Sequence, residues 1–157
     1  TISYVNIIGK FAYSSRVYLI DMDKDGNVDI VQSEANTPNG KLGWHKNKDG
    51  KGINWFTVNI AENTHQDMIC LCVDDFDNDN DMDIISGGGP MTEDLYKKIF
   101  IYLNVDGKGE KWEAKQILLD IECHQALSDD FDGDNDKDIL IIPWNYNYII
   151  VLENLLN

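Results

Sequence analysis

Positive charge is scarce in this chain: lysine and arginine number 13 against 28 aspartates and glutamates, for a formal charge of −15. A surface of that sign repels phosphate backbones and anionic headgroups, which excludes nucleic acid and membrane as partners and makes cations the natural ones. Long apolar runs are missing too. No stretch approaches the roughly 18 uninterrupted apolar residues of a membrane span, and Thr1-Ile2-Ser3 opens without the basic start and apolar core of a signal peptide. The chain reads as soluble, a mature form or an excised segment. Cysteine is sparse and odd in number. Cys70 and Cys72 fall on one face of a candidate strand, and neither they nor Cys123 show CxxC spacing or a neighbouring histidine pair. They therefore read as small buried hydrophobes rather than a disulfide framework or a zinc site. The three histidines, His45, His65 and His124, occupy unrelated positions, with no nucleophile motif or Gly-rich phosphate loop beside them. That speaks against acid–base catalysis.

What is present is repetition. With 157 residues and 43% hydrophobic content the chain can bury one ordinary core. Three segments share one pattern: Asp21-Met-Asp23-Lys-Asp25-Gly26-Asn27-Val-Asp29-Ile30, Asp75-Phe-Asp77-Asn-Asp79-Asn80-Asp81-Met-Asp83-Ile84 and Asp130-Phe-Asp132-Gly-Asp134-Asn135-Asp136-Lys-Asp138-Ile139. A second marker, Asn47-Lys-Asp49-Gly50-Lys51-Gly52, returns as Asn104-Val-Asp106-Gly107-Lys108-Gly109, followed by Trp55 and Trp112 respectively. Two markers returning in the same order define a repeated unit.

Between the markers lie short β-branched and aromatic runs bounded by Gly, Asn and Asp, the signal for strands and hairpins. The first unit predicts strands over 16–20, 28–33, 42–46 and 55–60, and the second over 68–73, 82–86, 99–103 and 112–118. The third predicts only 125–128, 138–142 and 148–153. Asp49-Gly50 and Asp106-Gly107 predict tight connections between third and fourth strands. The fold class is all-β: a β-propeller of four-stranded antiparallel blades, three blades' worth per chain. The units are residues 1–14 (fourth strand of a preceding or partner blade, and linker), 15–61, 62–119 and an incomplete 120–157.

Aspartates at positions 1, 3 and 5 of a tight loop aim carboxylates at one centre, which suits a hard cation with oxygen ligands. Position 6 must reverse sharply. Gly26 permits this, and Asn80 and Asn135 tolerate the same left-handed backbone. The carbonyl of position 7 (Asn27, Asp81, Asp136) and the carboxylate of position 9 (Asp29, Asp83, Asp138) complete the expected shell. An EF-hand would need a bidentate glutamate at position 12, where the chain has Gln32, Ser86 and Ile141. Strand-like residues also follow where that motif needs a helix. A single acidic stretch reads as a solvated turn, but three copies packing four like charges each require neutralisation. The expected cofactor is Ca2+, about three ions per chain; Mg2+ prefers to keep its waters.

These loops, with the apolar residue after the last aspartate and the Asn-x-Asp-Gly run downstream, resemble the FG-GAP/VCBS repeats of integrin-α-type β-propellers. The resemblance implies calcium in the hairpin between the first and second strands of each blade. It also implies a secreted or cell-surface adhesion, lectin-like or scaffold module. The Phe-Gly and Gly-Ala-Pro signatures of those repeats are absent here, which separates the calcium expectation from integrin-like ligand binding.

Residues Ile2 to Ile7 match Phe56 to Ile60 in pattern, so the chain is expected to open on a fourth strand. It closes at Asn154, which matches Asn47 and Asn104, before the turn and fourth strand of its last unit. Closed propellers use roughly four to eight blades. Two readings stand: a homodimer closing a six-bladed ring, each opening strand completing the other chain's last blade, or one segment of a longer propeller. The functional expectation is a non-enzymatic calcium-binding module for protein or glycan partners. The alternatives are a lectin using Trp44, Trp144, Tyr146 and Tyr148 as stacking surfaces, and an accessory segment of a larger secreted propeller enzyme.

Overall fold

Strand β5 (Cys70–Asp74) shows how these residues build this fold. Its Cys70-Leu71-Cys72-Val73 run has no polar face, so the strand must be covered on both sides. Leu71 and Val73 pack into one core, Cys70 and Cys72 into another. Its neighbour β6 (Asp83–Gly87) divides in the same way, with Ile84 in the first core and Ile85 in the second. The sheet containing them is the middle layer of three.

The computed structural model describes residues 11, 13–35, 39–62, 67–89 and 97–155. These form β1 (Ser14–Ile20), β2 (Asp29–Glu34), β3 (Leu42–Asn47) and β4 (Trp55–Ala61), then β5, β6, β7 (Lys98–Asn104) and β8 (Trp112–Leu119). The third group is β9 (Gln125–Asp129), β10 (Asp138–Ile142) and β11 (Ile150–Leu152). Each group is one antiparallel meander, in the orders β1-β2-β3-β4, β5-β6-β7-β8 and β9-β10-β11. Three all-β sheets in succession, packed face to face, are the arrangement of consecutive propeller blades.

The core between the first and second sheets joins Met22, Val31, Leu42 and Trp44 to Met68, Leu71, Val73, Ile84 and Tyr102. The core between the second and third joins Cys70, Cys72, Phe76, Ile85 and Ile99 to Cys123, Ala126, Ile139 and Ile141. Each such Val, Leu or Ile contributes about 1.5–3 kcal/mol on burial. All three cysteines are buried and free, in keeping with the sequence reading. Trp44 corrects it: the ring is 2% exposed and belongs to the first core, so it is no stacking surface.

Two local expectations shift. The β3–β4 and β7–β8 connections are longer than tight turns and are organised by aspartates. Asp49 Oδ1 accepts the Lys51 N–H (2.9 Å) and Oδ2 the Asn54 N–H (3.1 Å), while Asp106 Oδ1 accepts the Lys108 N–H (3.1 Å). Strand β11 is shorter than predicted. It pairs only with β10, and Tyr148 and Ile149, placed at its start by sequence, are exposed. The predicted opening strand at Ile2 to Ile7 lies outside the described residues.

Candidate metal centres

Each aspartate loop spans the first hairpin of its sheet, between β1 and β2, β5 and β6, and β9 and β10. The loops fold by wrapping backbone N–H groups around position 1. Asp21 accepts from Asp25 (3.0 Å) and Gly26 (2.8 Å), Asp75 from Asp79 (3.1 Å) and Asn80 (2.9 Å), and Asp130 from Asp134 (3.2 Å) and Asn135 (3.1 Å). Position 6 is left-handed in all three, Gly26 at φ 89°, Asn80 at 70° and Asn135 at 75°, as the sequence predicted. Position 4 is left-handed as well, in Lys24, Asn78 and Gly133, which the sequence did not reveal.

Position 9 anchors the loop to the sheet. Asp29 accepts the N–H groups of Met22 (3.2 Å) and Asn47 (2.8 Å). Asp83 accepts those of Phe76 (3.1 Å) and Asn104 (2.9 Å), and Asp138 those of Phe131 (2.9 Å) and Asn154 (2.8 Å). These three aspartates are buried. Burial pushes the Asp29 carboxyl up and that of Asp83 to about 7.

The structure brings positions 1, 3 and 9 together. Asp21, Asp23 and Asp29 each offer an oxygen within 4.8 Å of the others', as do Asp75, Asp77 and Asp83, and Asp130, Asp132 and Asp138. Two oxygens on opposite sides of an ion bound at 2.3–2.6 Å lie about 4.6–5.2 Å apart, so each trio can share one hard cation. Position 5 faces the loop backbone: Asp25, Asp79 and Asp134 each accept the N–H of position 7, at 2.9, 2.8 and 3.1 Å. At position 7, the Asp81 side chain meets Lys24 (2.7 Å), and both oxygens of Asp136 are buried without a donor.

Unpartnered buried oxygens test whether the donors fit a metal. Asp23 Oδ1 and Asp77 Oδ1 are buried with no hydrogen-bond partner, an expensive arrangement unless a cation completes it. Burial, then Asp79 and Asp75, push Asp77 up, and burial, then Asp134, push Asp136 up to about 6. The donor set is all oxygen and fits a hard cation.

Residues outside the predicted shell also shape the loops. Asn47 and Asn104 accept the N–H groups of Gly52 (3.1 Å) and Gly109 (2.9 Å), while Asn154 donates to the carbonyl of Phe76 in the neighbouring sheet (2.9 Å). Their recurrence in the sequence was the available signal. Lys46 contacts both Asp23 and Asp25, at 3.0 Å to the latter. Of the histidines, His45 is buried between Gln32 and Thr57 (2.9 Å each), and burial lowers its basicity. His124 lies against Arg16 (3.3 Å) and the Trp144 ring (4.5 Å), and His65 lies outside the described residues.

The fold and loops define a tandem-repeat all-β protein carrying one aspartate cluster per unit, in the hairpin between its first two strands. Residues 75–141 match the FG-GAP-like repeat family, so the chain carries an FG-GAP-like repeat from its second aspartate loop through the strand after its third. No curated protein matches the chain in sequence.

Proposed function

We propose that this protein is a calcium-stabilised, non-enzymatic β-propeller module that presents loops to a protein or glycan partner. The observation that carries the reading is the threefold repetition of an all-oxygen cluster with buried, unpartnered carboxylate oxygens. FG-GAP-like repeats are typically non-catalytic modules, and among the described residues His45 is buried between Gln32 and Thr57 while His124 lies against Arg16 and Trp144. Thermal unfolding in millimolar calcium, magnesium and chelator tests it. Calcium raises the melting temperature most; equal curves in calcium and chelator refute the reading.

Exposed apolar faces on the two outer sheets support ring closure as part of this proposal. Leu127, Leu140 and Val151 stand opposite one another across β9, β10 and β11, with Leu127 45% and Val151 51% exposed. At the other end Val17 and Leu19 are 63% and 62% exposed. Such apolar faces call for a cover. In each internal interface, the face carrying Val31 in the first sheet, or Ile85 in the second, meets the opposite face of the next sheet. A second copy would meet both open faces in that same sense and give six blades in a two-fold ring; further blades of a longer polypeptide would do so as well. Light scattering in calcium separates the two, by twice the chain mass or by a monomer. Secretion or surface exposure belongs to the same proposal and is tested by locating the protein in its source cells.

A lectin reading has its own support. Trp144 is 66% exposed, Tyr148 49% and Tyr146 39%, all on the β10–β11 loop, with the two tyrosine rings 5.2 Å apart. A glycan array with wild type and Trp144→Ala tests it: hits lost in the variant support a sugar site, and no hits refute it.

A further inference from the structure

The three loops are not equivalent, and the difference lies in one side chain on β3. Lys46 immediately precedes the Asn that marks each unit; the matching positions before Asn104 and Asn154 are Leu103 and Glu153. Its ammonium contacts Asp23 and Asp25 together, and the Asp23 side chain is only 9% exposed. Other lysines meet acids at or just before the second loop. Lys24 pairs with Asp81 at position 7 (2.7 Å), and Lys137 reaches Asp74 ahead of the second loop (3.7 Å). At position 3, Oδ1 is buried and unpartnered in both Asp23 and Asp77, but only Asp23 has an ammonium on its other oxygen.

We infer that the Lys46 ammonium is the built-in counter-ion of the first loop, which is therefore held formed without metal and takes calcium only by displacing that ammonium. This rests on the calcium reading above and deepens it: among the described residues only the first loop has its position-3 and position-5 carboxylates joined by an ammonium, whereas the lysine at the second loop meets position 7. A displaced Lys46 has somewhere to go. It lies in a cleft lined by Trp44, Phe56 and Val58, where its methylene stem stays covered, and Glu110 of the β7–β8 turn borders the same cleft as an alternative carboxylate that Lys46 would share with Lys108. Asp25 reflects the pairing. The hydrogen bond from Lys46 holds its carboxyl below the usual range.

The test is a calcium titration of the full chain followed by amide NMR, with Gly26, Asn80 and Asn135 reporting the three loops. In wild type the second and third loops saturate at lower calcium than the first. Lys46→Met removes the charge and keeps the stem, and should tighten the first loop on the order of tenfold or more while leaving the others unchanged. Lys46→Arg keeps the charge and the weak first site. Without metal, amide exchange at Asp25 and Gly26 is slower than at Asp79 and Asn80 in wild type, and Lys46→Met abolishes that protection. The inference is overturned if the first loop binds as tightly as the others in wild type, or if Lys46→Met changes neither its affinity nor its exchange. Silence of all three loops toward calcium would overturn the calcium reading itself, whereas a response of the second and third loops confines any failure to the role of Lys46.

Discussion

Asn104→Ala removes a side chain whose importance is invisible in the metal-ligand pattern. Asn104 is 1% exposed, and its Oδ1 accepts the N–H of Gly109 at 2.9 Å, closing the β7–β8 loop. Its amide also lies against Met22 Sδ at 4.0 Å, in the core shared with the first sheet. Truncation leaves the Gly109 N–H buried without an acceptor, which costs about 1–3 kcal/mol. Lost packing beside Met22 adds about 1 kcal/mol. The sum, about 2–4 kcal/mol, is a large fraction of the roughly 5–15 kcal/mol of an ordinary domain. Urea unfolding in chelator is the suitable assay, because no metal then masks the loss. The Asn104 backbone N–H still bonds Asp83, so the destabilisation arises without touching a predicted calcium ligand. An Asn104→Ala midpoint within about 0.5 kcal/mol of wild type would refute the reasoning.

Asp77→Asn separates metal binding from folding. In chelator it leaves stability unchanged or raised, because it deletes a carboxylate pushed upward by burial and by Asp79 and Asp75; in calcium it removes part of the metal-induced rise in melting temperature. A matching loss in chelator would contradict this. Gly109→Ala destabilises by about 2–4 kcal/mol, combining a left-handed φ of 68° with a Cβ 2.7 Å from the Trp44 ring. Gly52→Ala, whose Cβ meets nothing nearer than 3.8 Å, costs about 1 kcal/mol in the same unfolding assay. Without metal, and in a His45→Gln background that removes the opposing titration of that buried imidazole, stability falls as pH rises from about 4 to about 7. Asp83 keeps its proton in the folded state up to about 7, and Asp136 up to about 6, whereas the unfolded chain has released both near 3.8. That contribution is complete below the unfolded value and lost through the folded one. Saturating calcium flattens the slope, and a urea midpoint rising over this window would contradict the assignment.

The strands were legible because a sheet buried on both faces leaves runs such as Cys70 to Val73 and Ile84-Ile85, which periodicity reads as strand whatever their partners. The left-handed sixth position was legible from Gly26 because local backbone sterics decide it, and asparagine carried the same signal in the other loops. Side chains set by tertiary contacts were less so. Trp44 read as a possible stacking surface because nothing local shows that Gly109, in the β7–β8 loop of the next unit, packs against its ring. Lys46 was unremarkable because its partners Asp23 and Asp25 come from an earlier strand connection. Asn104 was visible as a repeat marker, but its hydrogen bond to Gly109 exists only once the β7–β8 loop has closed.

The central claim, that repeated aspartate loops hold calcium, is tested most directly by equilibrium dialysis of the full chain against calcium from micromolar to several millimolar. The account predicts three ions per chain at saturation, two taken up before the third. Absence of bound calcium across that range would contradict it.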